Sequence, residues 1–228
     1  MNRKTLSIVV SFLFLVPAVA LLAGCGPRQE TAGNAGKTAA AAPAREPAAA
    51  PVEVLLGVDP AAPPAALERA RKATKELLAT LKGRLVAAMQ QGGPENALAV
   101  CHEVAQDIAA SAQEEGLKIR RVTLRVRNPK DAPDSWESEL LRQLEQAKAA
   151  GTMPDEVAQV LEDEHGHRVL RYAKPLLVGK VCLACHGDPE QMKPGVRQKL
   201  ADLYPDDRAT GYREGDLRGV VSVTVDLD

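Results

Sequence analysis

The sequence predicts an α+β fold, and three observations carry that reading. Apolar residues recur at steps of three and four from residue 65 to 91, the spacing of an amphipathic helix. Residues 157–161 and 167–172 read as short strands around the turn Glu164-His165-Gly166. The chain then closes on Leu217 to Val225, a run of β-branched residues that suits a strand. Short strands joined by tight turns favour an antiparallel sheet.

The elements follow in order. Arg3 and Lys4 precede an apolar run from Leu6 to Leu22, which ends in Leu-Ala-Gly-Cys25. A basic start, an apolar middle and small residues at the cut form a secretory signal peptide over residues 1–24. The run is short for a membrane span and breaks at Pro17. The Leu-Ala-Gly-Cys string resembles a bacterial lipobox, which implies acylation of Cys25. Two or more acyl chains make a stable anchor, so the membrane is the first expected partner. The expected location is the cell envelope, facing the periplasm. Gly26, standing where Asp would retain a lipoprotein at the inner membrane, leans towards the outer membrane.

Residues 25–64 are rich in Ala, Pro and Gly, with too few large apolar residues to form a core, and read as a flexible tether. Val52-Glu53-Val54-Leu55-Leu56 is the one stretch of it suited to docking. A folded domain is expected over residues 65–228.

Two helices open that domain. The stripe Leu67, Ala70, Thr74, Leu77, Leu81, Leu85 and Ala88 marks the first. Gly92-Gly93-Pro94 ends it and starts the second, with Pro at a favoured first-turn position. The second is expected to run to about Glu115, with Gly116 as its C-cap. Residues 117–127 suggest a strand or two, and Asp134 or Ser135 caps a helix through Ala150. Residues 189–203 carry a further partly helical stretch, with Asp188 as a cap.

Composition bounds the function. The 228 residues carry a net charge of -1, which argues against a dedicated nucleic-acid binder. Four cysteines in an exported chain first suggest two disulfides. Aromatic residues make up only 3%, and both Phe lie in the signal peptide. The core is therefore filled by aliphatic side chains or by something that is not protein.

Cys182-Leu-Ala-Cys185-His186 supplies the chemistry. Two thiols three positions apart on a helical turn can each bond one vinyl group of haem. The next residue places its imidazole at the iron, and this spacing is the mark of c-type haem attachment. A thioredoxin-like pair does not need the histidine, a zinc site wants further ligands, and a plain disulfide leaves His186 unexplained. An exported chain agrees with such attachment. For the second axial position, the candidates by residue type are Cys101, His102, His165, His167 and the methionines. Helical spacing puts Cys101 on an inner face with Ala97, Val104 and Ile108, and His102 towards water. Spacing alone leaves Cys101 open between an inert buried thiol and a ligand.

The segments AVCHEVAQDIA, LRVRNPKDAPDSWE, RYAKPLLVGKVCLACHG and YPDDRATGYREGDLRGVVSVTV, in this order, resemble one family over residues 67–227. It is a family of exported single-haem c-type proteins with a PAS-like fold, catalogued as a domain of unknown function. The resemblance implies a small antiparallel β-sheet flanked by helices, one covalent haem c on Cys182 and Cys185, and His186 as proximal ligand. It further implies Cys101 as second axial ligand. One departure is visible: the family motif's Ala-Pro is Ala105-Gln106 here.

Filled axial positions argue against an enzyme; by analogy with PAS modules a redox or gas sensor is expected, in which Cys101, on reduction, yields to NO or CO. A one-electron carrier between partner proteins is the alternative, and a haem enzyme the least favoured. A separate redox or signalling partner protein is expected in either case. Tyr172 and Arg127 are expected near the haem, Arg127 as a propionate partner alongside Arg171, Lys174, Arg208, Arg213 and Arg218. A four-helix cytochrome of the c-prime type also carries CxxCH late in its chain, and the strand-like ending argues against it.

Overall fold

The computed structural model describes residues 53–163 and 165–227, which belong to the second of the chain's two units, residues 49–228. The side chains of residue 100 and residues 103–106 are not described. The signal peptide, Cys25 and the tether up to residue 52 lie outside the described residues.

Helix α1 spans Pro64–Ser111 and is broken in its middle. Gly92 (φ -157°, ψ 22°) and Gly93 (φ 69°, ψ -165°) leave helical geometry, and Pro94 restarts it. The positive φ at Gly93 suits a residue without Cβ, and Pro94 has no N–H to lose at a helix start. The two expected opening helices are thus two halves of one broken element. The second half stops at Ser111, four residues short of the expected Glu115, and Ala112 caps it. Gly116 instead takes φ +65° in the turn that pairs Glu114 with Leu117.

Strand β1 (Leu117–Val122), helix α2 (Ser135–Ala149), strands β2 (Val157–Glu162) and β3 (Arg168–Leu177), the short α3 (Leu183–His186), α4 (Pro194–Leu203) and strand β4 (Leu217–Asp226) complete the order. The four strands form one sheet in the order β1-β4-β3-β2, every pair antiparallel. A four-stranded sheet excludes the four-helix alternative. Pro175 sits in β3 opposite Val220 of β4 but beyond the last β2 partner, Val157 opposite Ala173, so the strand is an edge on its β2 side there, where proline is tolerated. At Gly219 of β4 (φ +154°) an added Cβ would lie 2.2 Å from the Val122 carbonyl oxygen, so β1 approaches too closely for any side chain.

The sheet is covered on both faces. The first half of α1 lays Leu67, Ala70 and Leu77 against Ile119, Leu170, Tyr172, Val221 and Val223. Helix α2 lays Trp136, Leu140, Leu141 and Leu144 against Val122, Val157, Ala173 and Val220. Central β4 is accordingly buried along nearly its whole length, as a two-sided strand must be. A capping box fixes the start of α2: Asp134 accepts from the Glu137 N–H at 2.8 Å, and Glu137 accepts from the Asp134 N–H at 2.9 Å.

The tether's last residues are not loose. Val54 is buried in the α2 core, and Val58 bridges Ala158 in parallel beside β2. Gln159 ties this segment down, donating to the Glu53 carbonyl at 3.2 Å while accepting from the Trp136 indole at 3.1 Å. Residues 53–63, assigned to the flexible tether by composition, therefore dock on the sheet edge and cover otherwise unpaired backbone. Among the described residues no helix is long and apolar enough to cross a membrane.

Candidate functional site

The Cys182–His186 motif folds as one turn. Residues Lys180–Cys182 form a 3₁₀ turn that passes directly into α3. Gly187 ends α3, where an added Cβ would lie 2.6 Å from the Leu183 carbonyl oxygen. Asp188 then caps the following 3₁₀ turn, accepting from the Glu190 N–H at 3.0 Å. Pro194 restarts the chain as α4, which packs Val196, Leu200 and Tyr204 against Leu98 of α1. This packing brings the second half of α1 to the motif, and Pro94 lies 4.0 Å by its carbonyl oxygen from the Cys185 Sγ.

A cleft of about 190 Å³ results, and Cys101, Cys182, Cys185 and His186 all line it. Residues 81 sequence positions apart thus meet at one place. Leu85 and Met89, the far end of the α1 stripe, continue past the sheet to line the same cleft. All three described cysteines are free thiols. Burial raises the pKa of Cys101, with Arg121 and Arg127 pulling it down; burial likewise raises Cys185 against Arg127.

His186 is held from behind. Its Nδ1 lies 2.7 Å from the Ala209 carbonyl oxygen, which can only accept, so Nδ1 carries the proton and Nε2 keeps a free lone pair. Its ring meets Tyr212 edge-on at 6.2 Å. Burial holds the imidazole well below the usual histidine range, followed by the charges of Arg127 and Arg218, against the pull of the Ala209 bond. His186 is therefore a neutral donor.

Three arginines frame the cleft. Arg127 is 8% exposed and donates from Nη2 to the Cys185 carbonyl at 2.6 Å, to Asp207 Oδ2 at 2.9 Å and to the Ala209 carbonyl at 3.2 Å. Its Nε is buried without a partner among the described residues. Arg218 donates to Thr123 Oγ1 at 2.9 Å, and its pKa is lowered by burial first. Arg121 lies 3.9 Å from Asp131. Of the expected propionate partners, Arg127 and Arg218 reach the cleft. Arg171 instead joins Asp134 at the start of α2, and Lys174 donates to the Asp155 carbonyl. Arg121 was not singled out by sequence; its place in β1, two residues past buried Ile119 on the same strand face, was the signal for it.

Tyr172 is not at the cleft. It lies in the core under α1, and its hydroxyl donates to Glu156 Oε2 at 3.0 Å. Strand alternation puts it on the α1-covered face with Leu170, opposite Val223 of β4, where the first half of α1 covers it. Tyr204 lines the cleft instead, with the Arg127 guanidinium 5.8 Å from its ring. His102 does not face water either. It is half-buried, edge-on to Tyr204 at 5.0 Å, because α4 covers the side of α1 that helical spacing assigned to solvent. Met192 is buried beneath α4 and does not line the cleft. His165 and His167 sit exposed at the β2–β3 turn.

The residues present fit a flat, doubly tethered cofactor with a metal at its centre and anionic groups at its rim. Two thiols stand in register on one turn, and an imidazole lone pair follows them. A third thiol comes from another helix, and arginines with a spare buried donor stand around them.

Comparison with known proteins agrees with this geometry. The chain matches a solved structure described as the crystal structure of the cyanobacterial heme-protein Tll0287, at 27% sequence identity and a TM-score of 0.52. The match covers 73% of this chain and 98% of that one. No curated protein matches the chain. The model of the Tll0287-like family matches residues 61–226, from just before α1 to the end of β4, and the chain belongs to that family.

Proposed function

We propose that this chain is a haem-binding protein of the c type, carrying one haem on Cys182 and Cys185, with His186 and Cys101 as its two axial donors. The observation that carries this reading is the meeting of Cys101 with the Cys182–His186 turn in one arginine-framed cleft. The matched structure, itself described as a heme-protein, adds support. When bound, the group supplies a one-electron couple, and a thiolate donor favours the ferric state and hence a low potential.

The chain's own residues suggest sensing of redox state or of a small gas such as NO or CO. Cys101 sits on a half-helix joined to the rest of α1 through the non-helical Gly92-Gly93 pair. That joint lets the thiol withdraw without unfolding the half that packs on the sheet. The second reading, a one-electron carrier, is favoured by Tyr212, which touches the His186 ring and also lines a surface groove beside α3. In both readings acylated Cys25 tethers the domain to the membrane, and a separate protein receives the electron or the signal.

Absorption and EPR spectra of the ferric protein and of Cys101→Ser test the ligation. Low-spin thiolate features are expected in the first and absent in the second; identical spectra refute Cys101 as ligand. Carbon monoxide added to the ferrous protein then separates the roles. A spectral change supports the sensor, and none supports the carrier.

A further inference from the structure

The carbonyl of Ala209 serves two donors at once. His186 Nδ1 lies 2.7 Å from it, and Arg127 Nη2 donates to it at 3.2 Å. Ala209 is fully buried, so no water competes there. The same Nη2 grips the Cys185 carbonyl one residue before the histidine. Asp207 holds the arrangement from the other side. Its Oδ2 pairs with Arg127 at 2.9 Å, while its Oδ1 accepts from the Ala209 N–H at 2.7 Å. The Arg127 and Asp207 side chains are 8% and 9% exposed, so solvent screens neither charge well.

We propose that Arg127 is a positioning residue that sets the donor strength of His186 through the shared Ala209 carbonyl, with Asp207 as its counterweight. The inference rests on the haem reading above and goes beyond it. An imidazole whose Nδ1–H is strongly accepted becomes a stronger donor at Nε2. A guanidinium on the same carbonyl draws electron density from it and weakens that acceptance. Its positive charge acts in the same direction, because it disfavours the more highly charged ferric state. Arg127 therefore raises the reduction potential against the lowering effect of the thiolate, and Asp207 moderates it. The role given to Arg127 by residue type, a propionate partner, is confined to its remaining nitrogens, since Nη2 is committed to this clasp.

The test is a set of full-length holoproteins: the native chain, Arg127→Gln, Arg127→Lys and Asp207→Asn. Covalent haem is measured first, by haem staining after denaturing electrophoresis, and potentials follow by spectroelectrochemical titration. Arg127→Gln is expected to shift the ferric-to-ferrous ratio about tenfold towards ferric, ~59 mV for one electron. Arg127→Lys, which keeps the charge and loses the fork, is expected to shift it the same way by less. Asp207→Asn is expected to shift it towards ferrous. In the ferrous protein the nitrogen-15 resonance of His186 Nδ1 is expected to move with the potential, in opposite directions for Arg127→Gln and Asp207→Asn.

Loosening of the loop alone would move the Gln and Asn variants the same way, and that result overturns the inference. So do unchanged potentials in haem-loaded variants. If Arg127→Gln does not fold, the opposed shifts of Arg127→Lys and Asp207→Asn still decide it. Absence of haem from the native chain overturns the haem reading itself, and is seen at the staining step before any potential is measured.

Discussion

Arg171 and Arg127 are both mostly buried, both paired with an aspartate, and both near an aromatic ring, yet they close their surroundings differently. Arg171 lies 2.8 Å from Asp134 and 3.4 Å from Glu137, with its guanidinium 4.5 Å from the Trp136 ring centroid. Arg120 joins the same Glu137 at 3.5 Å. Two carboxylates thus meet two guanidiniums, so the cluster's charge is complete from the protein's own residues, although Arg171 Nε, like Arg127 Nε, is buried without a partner among the described residues. It pins the start of α2 to the sheet. Around Arg127 the balance is different: among the described residues three guanidiniums, Arg121, Arg127 and Arg218, stand with two carboxylates, Asp131 and Asp207. The remaining polar needs are met by backbone carbonyls and one Thr hydroxyl, so the surplus of positive charge, not the spare Nε that both arginines have, separates the two clusters. A buried cluster with surplus positive charge is costly unless something anionic completes it. The first cluster is structure; the second is a site.

That contrast can be broken most sharply at the cysteines. Replacing Cys182 and Cys185 together with Ala is expected to abolish covalent haem completely, read by haem staining after denaturing electrophoresis. Thermal unfolding of this variant should fall below that of the loaded protein, since a ligand bound only to the folded state stabilises it. An unchanged unfolding temperature would show that the cleft is complete without its cofactor, as the α2 cluster is.

Next in size is Glu137→Ala. Its side chain is 1% exposed and serves Arg120, Arg171 and the α2 cap together. Loss of about 3 kcal/mol is expected, since it strands buried charge, measured by denaturant unfolding. The visible spectrum of the holoprotein should not change. A changed spectrum would join the two clusters that the geometry separates.

Tyr172→Phe removes one hydroxyl that donates to Glu156 and is expected to cost ~1 kcal/mol, again with no spectral change. A shifted haem spectrum would return Tyr172 to the cleft surroundings. The smallest effect concerns Glu156 itself. The Arg71 guanidinium, bonded to both of its oxygens, holds its carboxyl below the ordinary value of 4.5, with Tyr172 adding a smaller pull. A folded-state pKa below the unfolded one gives stability that is present above pH 4.5 and lost as pH falls through the folded value. Glu156→Gln should flatten that acid limb of the unfolding curve, whereas Glu139→Gln, on exposed α2 surface, should change it less.

Much of this was legible in local patterns. The Gly92-Gly93-Pro94 break, the Asp134 cap, the β2–β3 turn and the closing strand all appear where propensity and turn chemistry place them, because each depends on neighbours in sequence. The same holds for the Cys182–His186 turn, whose spacing already states its chemistry. Errors fell where a distant element decides. His102 was assigned to solvent because the helix periodicity of α1 does not reveal that α4 lies over that side. Tyr172 was expected near the haem by residue type; strand register buried it under α1, and the end of α4 delivered Tyr204 to the cleft. Residues 57–63 read as tether by composition, and only the open edge of β2 gives them a place, whereas Val54 and Glu53 dock within the stretch that composition had marked as suited to docking.

The sequence by itself determined the α+β class, the CxxCH turn and the candidacy of Cys101. Those rest on spacing along the chain, which backbone geometry converts directly into local structure. The tertiary structure decided which arginines surround the motif, that Ala209 backs His186, and that Cys101 shares its cleft. Those pairings span 23 to 85 positions, since His186 is 23 from Ala209 and Cys101 is 85 from His186. At such distances no periodicity reaches, and only the packing of α4 and β4 against α1 and β1 brings the partners together.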